Sequence, residues 1–278
     1  MAPKPGPPTK LTPKSFPPVR ACIFDMDGLL LDTEDLYTLC VNLVLERYGR
    51  PPMPWSVKAK LQGRPGPEAN KIFSDWANLP ISREQYNSEL SVLHREKFAA
   101  ARPLPGVPEL LAGLAPKSSG VHIALATSSG AANFGLKTEH LADLFSAFPD
   151  NRRVLGDDAR LAAGRGKPLP DIFLLALKTI NDSLPSGEKP VAPEECLVFE
   201  DSVPGVEAGR RAGMRVVWVP HPKLKEEVAG REEEILAGRA GEAGLVDMHQ
   251  VGEVDDGWAE ELTTLESFPF GKYGIVPA

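Results

Sequence analysis

The sequence predicts an α/β fold whose core is a doubly wound parallel sheet, with a second, helical unit inserted into it. Two observations lead to this prediction. Short uninterrupted apolar runs alternate with segments of helical spacing, and one connection between them is far too long for an ordinary crossover. The chain has 278 residues and 42% hydrophobic content, which is enough to bury a large core.

Four short apolar runs are typical of parallel strands that are buried on both faces. They read "ACIF", "VHIALA", "CLVF" and "RVVWVP". Polar residues directly follow the first three: Asp25, Thr127, and the pair Glu200 and Asp201. Segments with helical spacing come after them, such as "ANFGLKTEHLADLF" and "DIFLLALKTI". This alternation indicates a Rossmann-like sheet, in which ligands bind beyond the carboxyl ends of the strands, so the polar residues are expected at that edge.

The insert is predicted from the spacing of these polar positions. About 100 residues separate Asp25 from Thr127, too many for one connection in a compact fold. Helical periodicity in this stretch indicates a mainly helical cap at 33–102, which divides the core into 19–32 and 103–278. A glycine- and proline-rich loop, "QGRPGPE" at 62–68, is expected at the edge of the cap.

The chain is predicted to have an arm before the core and a C-terminal extension of the core at its other end. The proline-rich segment 1–18 is expected to be a disordered arm, and the charged stretch "KLKEEVAGREEEILAGRA" after His221 a solvated helix. A net charge of −7 gives no reason to bind a nucleic-acid polymer or an anionic membrane. Three widely separated cysteines in apolar runs favour a reducing compartment, and no run is long enough to span a membrane. We therefore expect a cytoplasmic protein, and a monomer because no exposed coiled-coil pattern argues otherwise.

Two aspartates, Asp25 and Asp27, stand at the end of the first predicted strand. Side chains two positions apart in a strand share a face, so the two carboxylates are expected side by side. One interpretation is a turn or a helix cap, where Asp and Gly are common. The other is a site for a cation and an anionic substrate, because Glu200 and Asp201 would bring further negative charge to the same edge. Ligands that are all oxygen favour magnesium over zinc.

A phosphate monoester is an anionic substrate that suits such a site. With magnesium present, Asp25 can attack phosphorus as a nucleophile. Asp27 can protonate the leaving alkoxide and later deprotonate the water that hydrolyses the aspartyl phosphate. Thr127 could donate its hydroxyl and its backbone N–H to a phosphoryl oxygen, and Lys167 could hold the same group. Taken singly, these are weak signals, because a threonine after a strand is commonly a helix cap and a lysine beside glycine and proline usually lies on the surface.

Four segments in order resemble the four motifs of the haloacid dehalogenase superfamily of phosphotransferases, over about residues 19–221. They read "FDMDGLLLDTE", "ALATSSG", "GKPLPDIF" and "VFEDSVPGVEAG". The resemblance implies a nucleophile at Asp25 and an acid/base at Asp27. It also implies phosphate binding by Thr127 and Lys167, and Ser128 beside Thr127 is included among the substrate-binding candidates.

The same resemblance implies a magnesium site and a moving cap. The ligands would be Asp25, the backbone carbonyl of Asp27, and Asp201 with Glu200 beside it. The helical insert would close over the site, with a hinge near 31–33. The segment around Asp25 is therefore expected to supply the nucleophile, two of the metal ligands and the hinge of the cap.

Within that superfamily, the sequence resembles most the pseudouridine-5'-phosphatase group. The shared phrases are "IFDMDGLLLDTE", "ALATSSG", "VLGDD", "GKPLPDIFL" and "CLVFED" followed by "GVEAG" and "AGM". This resemblance implies pseudouridine 5'-phosphate as the substrate, in nucleotide metabolism. Arg64, in the loop at 62–68, is the candidate for contact with a polar group of the substrate, and a surface arginine is the alternative interpretation there.

Other functions on the same scaffold stay open. A sugar- or polyol-phosphate phosphatase, for glycerol phosphate or a deoxyhexose phosphate, would share every motif. A sugar-phosphate mutase tends to carry a histidine in the first cap helix, where Tyr37 stands here. A true dehalogenase usually lacks the second aspartate, so Asp27 argues against that activity. A non-catalytic binder would be marked by loss of a catalytic residue, and each motif residue is present.

Overall fold

The structure is a computed structural model that describes residues 16–64, 66–114, 119–241 and 252–278. Side chains are described for these residues except 66–68. Most of the predicted proline-rich arm at 1–18 lies outside the described residues, as does position 65 of the predicted loop at 62–68. The part of the chain that the structure describes includes no helix long and apolar enough to cross a membrane.

The described residues form one parallel sheet of six strands. In chain order the strands are β1 (Ala21–Phe24), β2 (His122–Ala126), β3 (Arg153–Val154), β4 (Cys196–Glu200), β5 (Arg215–Trp218) and β6 (Ala259–Glu261). Their order across the sheet is β3-β2-β1-β4-β5-β6, and every neighbouring pair is parallel. Phe24 at the end of β1 pairs with Leu125 of β2 and Phe199 of β4. The residues that follow these three strands are therefore neighbours at one edge of the sheet.

Helices lie on both faces of the sheet and in the long connection after β1. They are α1 (Thr33–Arg47), α2 (Trp55–Lys58), α3 (Gly66–Ala77), α4 (Arg83–Lys97), α5 (Val107–Gly113), α6 (Ala131–Thr138), α7 (Ala142–Phe145), α8 (Asp171–Asp182), α9 (Val203–Arg211), α10 (Pro222–Glu227) and α11 (Glu232–Leu236).

Alternate residues of the strands supply two separate apolar layers. Phe24 and Phe199 belong to the cluster on one face, whereas Ile23, Val198 and Trp218 belong to the cluster on the other. Burial on both faces explains why these strands are uninterrupted apolar runs. The predicted fold class, a doubly wound parallel sheet with a helical insert, is confirmed.

The helical insert has its own apolar cluster. Cys40, Val44, Phe73, Tyr86 and Leu93 pack together between helices α1, α3 and α4. The two segments that join the insert to the sheet run side by side: Leu31 pairs with Pro103, and the N–H of Asp32 donates to the carbonyl of Arg102 at 3.0 Å. We call α1 to α4 the cap, and the exact division at 33–102 stays a prediction.

The stretch after His221 differs from the predicted solvated helix. It contains two short helices, α10 and α11, separated near Gly230, whose φ of 82° favours glycine. Ile235 of α11 is buried against the sheet rather than fully solvated. Likewise, the predicted helix over 132–145 is divided into α6 and α7 by a 3₁₀ turn at Glu139–Leu141.

The C-terminal residues also complete the sheet and the core. Strand β6 pairs with β5, and Leu265, Phe268 and Ile275 belong to the same apolar cluster as Phe24. The N–H of Val19, just before β1, donates to the carbonyl of Tyr273 at 2.9 Å. The sequence did not predict β6, because "AEE" lacks the apolar run of a buried strand and an edge strand does not need one.

Candidate active site

Asp25 lies at the end of β1, next to a buried lysine. The N–H of Asp25 donates to the carbonyl of Phe199 at 3.0 Å, which extends the pairing of β1 with β4. The ammonium of Lys167 lies 2.5 Å from Oδ1 of Asp25 and 2.6 Å from Oε1 of Glu200, and it donates to the carbonyl of Ala126 at 3.1 Å. The lysine side chain is fully buried. One ammonium therefore bridges the carboxylates that follow β1 and β4.

The protonation of this group is set mainly by burial. Burial raises the pKa of Asp25 to about 7, with Lys167 opposing the rise and the carboxylates of Glu200 and Asp27 adding to it. For Lys167, burial lowers the pKa, but the two carboxylates beside it outweigh burial and the pKa is raised. A single lysine thus only partly compensates the negative charge at this edge of the sheet.

Three carboxylates are close enough to share a cation. Asp25, Glu200 and Asp201 each offer an oxygen, and these oxygens lie within 4.8 Å of one another. Burial, followed by the charges of Glu200 and Glu34, raises the pKa of Asp201 well above its usual range. Buried carboxylates that crowd in this way favour a bound hard cation, and an all-oxygen donor set suits magnesium. The residues present therefore fit a divalent ion.

The three carboxylates differ in how open they are. Oε2 of Glu200 accepts from the N–H of Asp201 at 3.0 Å and from the N–H and hydroxyl of Ser202 at 3.1 and 3.0 Å, while Oε1 faces Lys167. Oδ2 of Asp201 accepts from Nε2 of the cap residue Gln62 at 2.5 Å. Both oxygens of Glu200 are held by protein groups, so Asp25 and Asp201 are the more available metal ligands.

Asp27 lies in a different environment, although it is only two residues away. Oδ1 accepts from the hydroxyl of Thr33 at 2.6 Å, and Oδ2 accepts from the hydroxyl of Ser129 at 2.7 Å. The ammonium of Lys137 donates to the two oxygens at 2.6 and 2.7 Å. Burial would raise the pKa of Asp27, but the charge and hydrogen bonds of Lys137, with help from the two hydroxyls, lower it.

Lys137 was not among the residues predicted from the sequence. Its side chain is fully buried, and its ammonium also donates to the hydroxyls of Ser129 at 2.6 Å and Tyr37 at 3.1 Å. The rings of Tyr37 and Phe98 lie over it, with centroids 5.1 and 5.4 Å away. No local pattern marks it, because a lysine in "FGLKT" resembles one on the surface of an amphipathic helix.

Thr127, Ser128 and Arg64 line the same cavity as the two aspartates. The backbone N–H of Thr127 donates to the carbonyl of Val154 at 3.0 Å, so the prediction that this N–H serves a phosphoryl oxygen is wrong. A parallel strand next to β2 uses it instead. The hydroxyl of Ser128 donates to the carbonyl of Gly63 at 3.2 Å, which links the sheet edge to the cap.

The cavity between the sheet edge and the cap has a volume of about 560 Å³. Asp25, Asp27 and Asp201 lie on its sheet side, and its cap side includes apolar, aromatic and polar side chains. These cap-side residues include Phe73, Tyr86, Asn87, Leu90, Ser91 and His94. Burial and the neighbouring Lys137 lower the pKa of His94 to about 4, so its imidazole is neutral at pH 7. The cavity therefore offers carboxylates on its sheet side, and on its cap side both neutral polar groups and the charged residues Glu34, Lys58 and Arg64.

This arrangement defines a class of protein: an enzyme with a carboxylate-based site at the carboxyl edge of a parallel sheet, covered by a helical cap. The sequence family described as haloacid dehalogenase-like hydrolase matches residues 19–213. The chain belongs to this family, and the resemblance predicted from its four motifs is confirmed.

Individual relatives agree with this assignment. A protein of Saccharomyces cerevisiae named probable pseudouridine-5'-phosphatase is 42% identical over 257 residues, which cover 92% of this chain and 98% of that protein. The Arabidopsis thaliana protein named (DL)-glycerol-3-phosphatase 1, mitochondrial, is 38% identical over 217 residues, covering 77% and 68%. The crystal structure of an HAD hydrolase of family IA, variant 3, from Entamoeba histolytica has a TM-score of 0.59 at 24% identity, covering 80% of this chain and 91% of that chain. The last similarity concerns the fold alone.

Proposed function

We propose that this chain is a magnesium-dependent phosphatase that hydrolyses a small phosphomonoester through an aspartyl-phosphate intermediate. The observation that carries the proposal is the joint placement of Asp25, Asp27 and Asp201 on one wall of a cavity, with Lys167 bonded to Asp25. In the structure the pKa of Asp25 is raised and that of Asp27 is lowered. A nucleophile and a proton donor need the reverse, so a cation beside Asp25 would have to lower the first pKa, and the anionic phosphoryl group beside Asp27 would have to raise the second. Relatives named as phosphatases support the same reaction.

In this mechanism Asp25 is the nucleophile and Asp27 moves the proton. A carboxylate oxygen of Asp25 forms a bond to phosphorus and the bond from phosphorus to the leaving oxygen breaks. Asp27, which carries a proton in the substrate complex, gives that proton to the leaving oxygen and becomes a carboxylate. Asp27 then takes a proton from a water molecule, whose oxygen attacks phosphorus and releases Asp25 and inorganic phosphate. Lys167 keeps a positive charge beside Asp25 throughout.

Other residues hold the phosphoryl group and the metal. The hydroxyl of Thr127, with Ser128 beside it, would donate to phosphoryl oxygens. Asp25 and Asp201, together with the backbone carbonyl of Asp27, would hold magnesium, and Glu200 would orient Lys167 as well as stand close to the metal. Magnesium, when bound, neutralises charge on the phosphoryl oxygens so that an anionic nucleophile can approach.

Pseudouridine 5'-phosphate is the substrate that we propose for this site. A cavity of about 560 Å³ accommodates a nucleoside monophosphate, within the range usual for small-ligand sites. Pseudouridine presents one more ring N–H than uridine, and Asn87, Ser91 and the neutral His94 offer acceptors on the cap side. Arg64, on the same cavity wall, would meet another polar group of the substrate. The yeast relative's name supports this choice.

Glycerol phosphate, as one polyol phosphate, is the second candidate substrate. It is favoured by the 38% identity to the Arabidopsis relative. Glycerol phosphate is much smaller than a nucleotide and would leave most of the cavity to water, which is the physical argument for ranking it second. For either substrate we propose a monomer that acts in the cytoplasm.

The test is phosphate release from four compounds: pseudouridine 5'-phosphate, uridine 5'-phosphate, glycerol 3-phosphate and a deoxyhexose phosphate. Each is assayed with magnesium and with a chelator, and Asp25→Asn serves as the matched inactive control. We expect magnesium-dependent release that is fastest, by kcat/KM, with pseudouridine 5'-phosphate.

A higher kcat/KM for glycerol 3-phosphate would keep the mechanism and reassign the substrate. Release that continues unchanged in the chelator would contradict the role of magnesium. No release from any of the four compounds by folded protein would contradict the phosphatase activity itself.

A further inference from the structure

Lys137 is a buried cation that the proposed mechanism leaves without a role. It lies on α6, its side chain is fully buried, and no sequence motif includes it. Its ammonium has three N–H groups, and four acceptor atoms lie within 3.1 Å of it. These are Oδ1 and Oδ2 of Asp27, the hydroxyl of Ser129 and the hydroxyl of Tyr37.

A buried ammonium is costly to the fold unless it is paired. Here the paired group is the carboxylate of Asp27, and both of its oxygens contact Lys137. Thr33 and Ser129 add one hydroxyl donor to each oxygen. The carboxylate is therefore held from several directions, and with Lys137 removed it would keep two hydroxyl donors among the contacts that the structure describes.

The groups around Lys137 come from separate parts of the chain. Asp27 follows β1, Ser129 follows β2, and Tyr37 belongs to the first cap helix, α1. The rings of Tyr37 and Phe98 cover the ammonium and exclude water from it. Lys137 thus connects Asp27 to a helix of the core and to the cap in a dry environment, where charge-assisted hydrogen bonds are strong.

We infer that Lys137 is the positioning residue of Asp27. It holds the Asp27 side chain in the orientation from which the carboxyl gives a proton to the leaving oxygen and, once ionised, takes a proton back from the attacking water. The inference rests on the proposed function, since it assumes that Asp27 is the acid/base. Lys137 acts through Asp27 and does not contact the substrate. The alternative is that Lys137 and Asp27 form a purely structural ion pair. The positioning role and the structural role predict a different dependence of activity on the leaving group.

The leaving group separates the two roles because only some leaving oxygens need a proton. The alkoxide of a nucleoside or glycerol must be protonated as it departs, whereas 4-nitrophenolate is stable as an anion. A residue that positions the proton donor therefore matters for alkyl phosphates and little for 4-nitrophenyl phosphate. A residue that merely holds the fold together matters equally for both.

The experiment measures kcat/KM of Lys137→Met for pseudouridine 5'-phosphate, glycerol 3-phosphate and 4-nitrophenyl phosphate. We expect a loss of about 100-fold for the two alkyl phosphates and of less than about 5-fold for the aryl phosphate. Lys178→Met is the matched control, since Lys178 is an exposed lysine of α8 that pairs only with Asp182 in the contacts described. It should leave all three kcat/KM values unchanged.

A double-mutant cycle with Asp27→Asn tests whether Lys137 acts through Asp27. We expect Asp27→Asn to show the same preference for the aryl phosphate, and Lys137→Met to cost less than about 3-fold more in that background. Ser129→Ala removes a single hydroxyl of the same network and should give a smaller loss, of about 10-fold, again confined to the alkyl phosphates. If circular dichroism shows that Lys137→Met does not fold, Ser129→Ala takes its place in the test.

The inference would be overturned, with the proposed function left in place, by either of two results. One is an equal loss of kcat/KM for alkyl and aryl phosphates in Lys137→Met. The other is a double mutant whose loss of kcat/KM equals the product of the losses in the two single mutants. If Asp27→Asn itself showed no preference for the aryl phosphate, the acid/base role in the proposed function would fail, and the inference with it. Unchanged activity of folded Lys137→Met would overturn the inference alone.

Discussion

The active site contains two buried pairs of a lysine and an aspartate, and they behave oppositely. Lys167 contacts Asp25 and Lys137 contacts Asp27, and both ammoniums are fully buried. Nevertheless the pKa of Asp25 is raised to about 7, whereas the pKa of Asp27 is lowered. Two identical residues, two positions apart on one strand end, therefore have different protonation behaviour.

The difference comes from how each lysine is shared. Lys167 lies between two carboxylates, Asp25 and Glu200, so burial is only partly offset for each. Asp27 has Lys137 as its sole carboxylate-bound cation in the contacts described, together with the hydroxyls of Thr33 and Ser129. The spacing of the aspartates places them on one face, but their neighbours decide their chemistry. Both pairs lie in the core, but in the contacts described the second also contacts the first cap helix, through Thr33 and Tyr37.

The largest expected effect comes from replacing Asp25, the proposed nucleophile, in the first pair. Asp25→Asn should lower kcat by at least about 1,000-fold, because an amide cannot form the covalent intermediate. The measurement is phosphate release, with circular dichroism to show that the variant is folded. Appreciable turnover by folded Asp25→Asn would contradict the covalent mechanism and remove the distinction between the two aspartates.

Replacing the lysine of the first pair tests whether Lys167 and Lys137 have different roles. Lys167→Met leaves Asp25 and Glu200 buried without their shared cation, so kcat/KM should fall by about 100-fold for alkyl and aryl phosphates alike. The measurement is the same pair of assays used for Lys137→Met, with Lys178→Met as control. A loss confined to alkyl phosphates would show that Lys167 serves proton transfer instead, and the two pairs would then not differ.

A smaller effect, on stability, is expected at the cap side of the second pair. Burial and Lys137 lower the pKa of His94 to about 4, below the ordinary value of 6.5. Between these values the unfolded chain binds a proton that the folded chain does not. The free energy of unfolding therefore decreases as the pH falls from 7 to 5, by about 2 kcal/mol from this residue.

His94→Phe should remove this part of the pH dependence, and a phenyl ring can keep the stacking on Phe98, whose centroid lies 4.2 Å from that of the imidazole. Urea denaturation of the two proteins at pH 7 and pH 5 gives the difference. An equal decrease in both proteins would mean that His94 is protonated in the folded state as readily as in the unfolded one.

The sheet edge of the site was predictable from the sequence because its residues follow buried strands. Asp25, Thr127 and Glu200 come directly after apolar runs, and parallel strands bring such positions together. Lys167 follows no strand, and its place beside Asp25 was expected only from the resemblance of "GKPLPDIF" to a family motif. Even at the predictable edge, the N–H of Thr127 could not be assigned without knowing that β3 would use it.

The second pair was not predictable, because its contacts depend on how helices pack. Lys137 and Tyr37 lie on α6 and α1, far apart in sequence, and each fits the ordinary pattern of an amphipathic helix. Gln62, which reaches Asp201 from the cap, lies in a loop without a distinctive pattern beyond its glycines and prolines. Packing between separate units brings these side chains to the site, and local sequence patterns do not predict such contacts.

The hydrogen bond from Val19 to Tyr273 and the burial of Ile275 have a consequence for biosynthesis. The apolar layer beneath Asp25 and Asp27 includes Phe24 from the start of the core and Ile275 from the last part of the sequence. During translation β1 must therefore wait for about 250 further residues before that layer is closed. A chain that ended before residue 265 would leave apolar surface of Phe24, Phe199 and their neighbours exposed, and exposed apolar surface of this kind makes incomplete chains prone to aggregate.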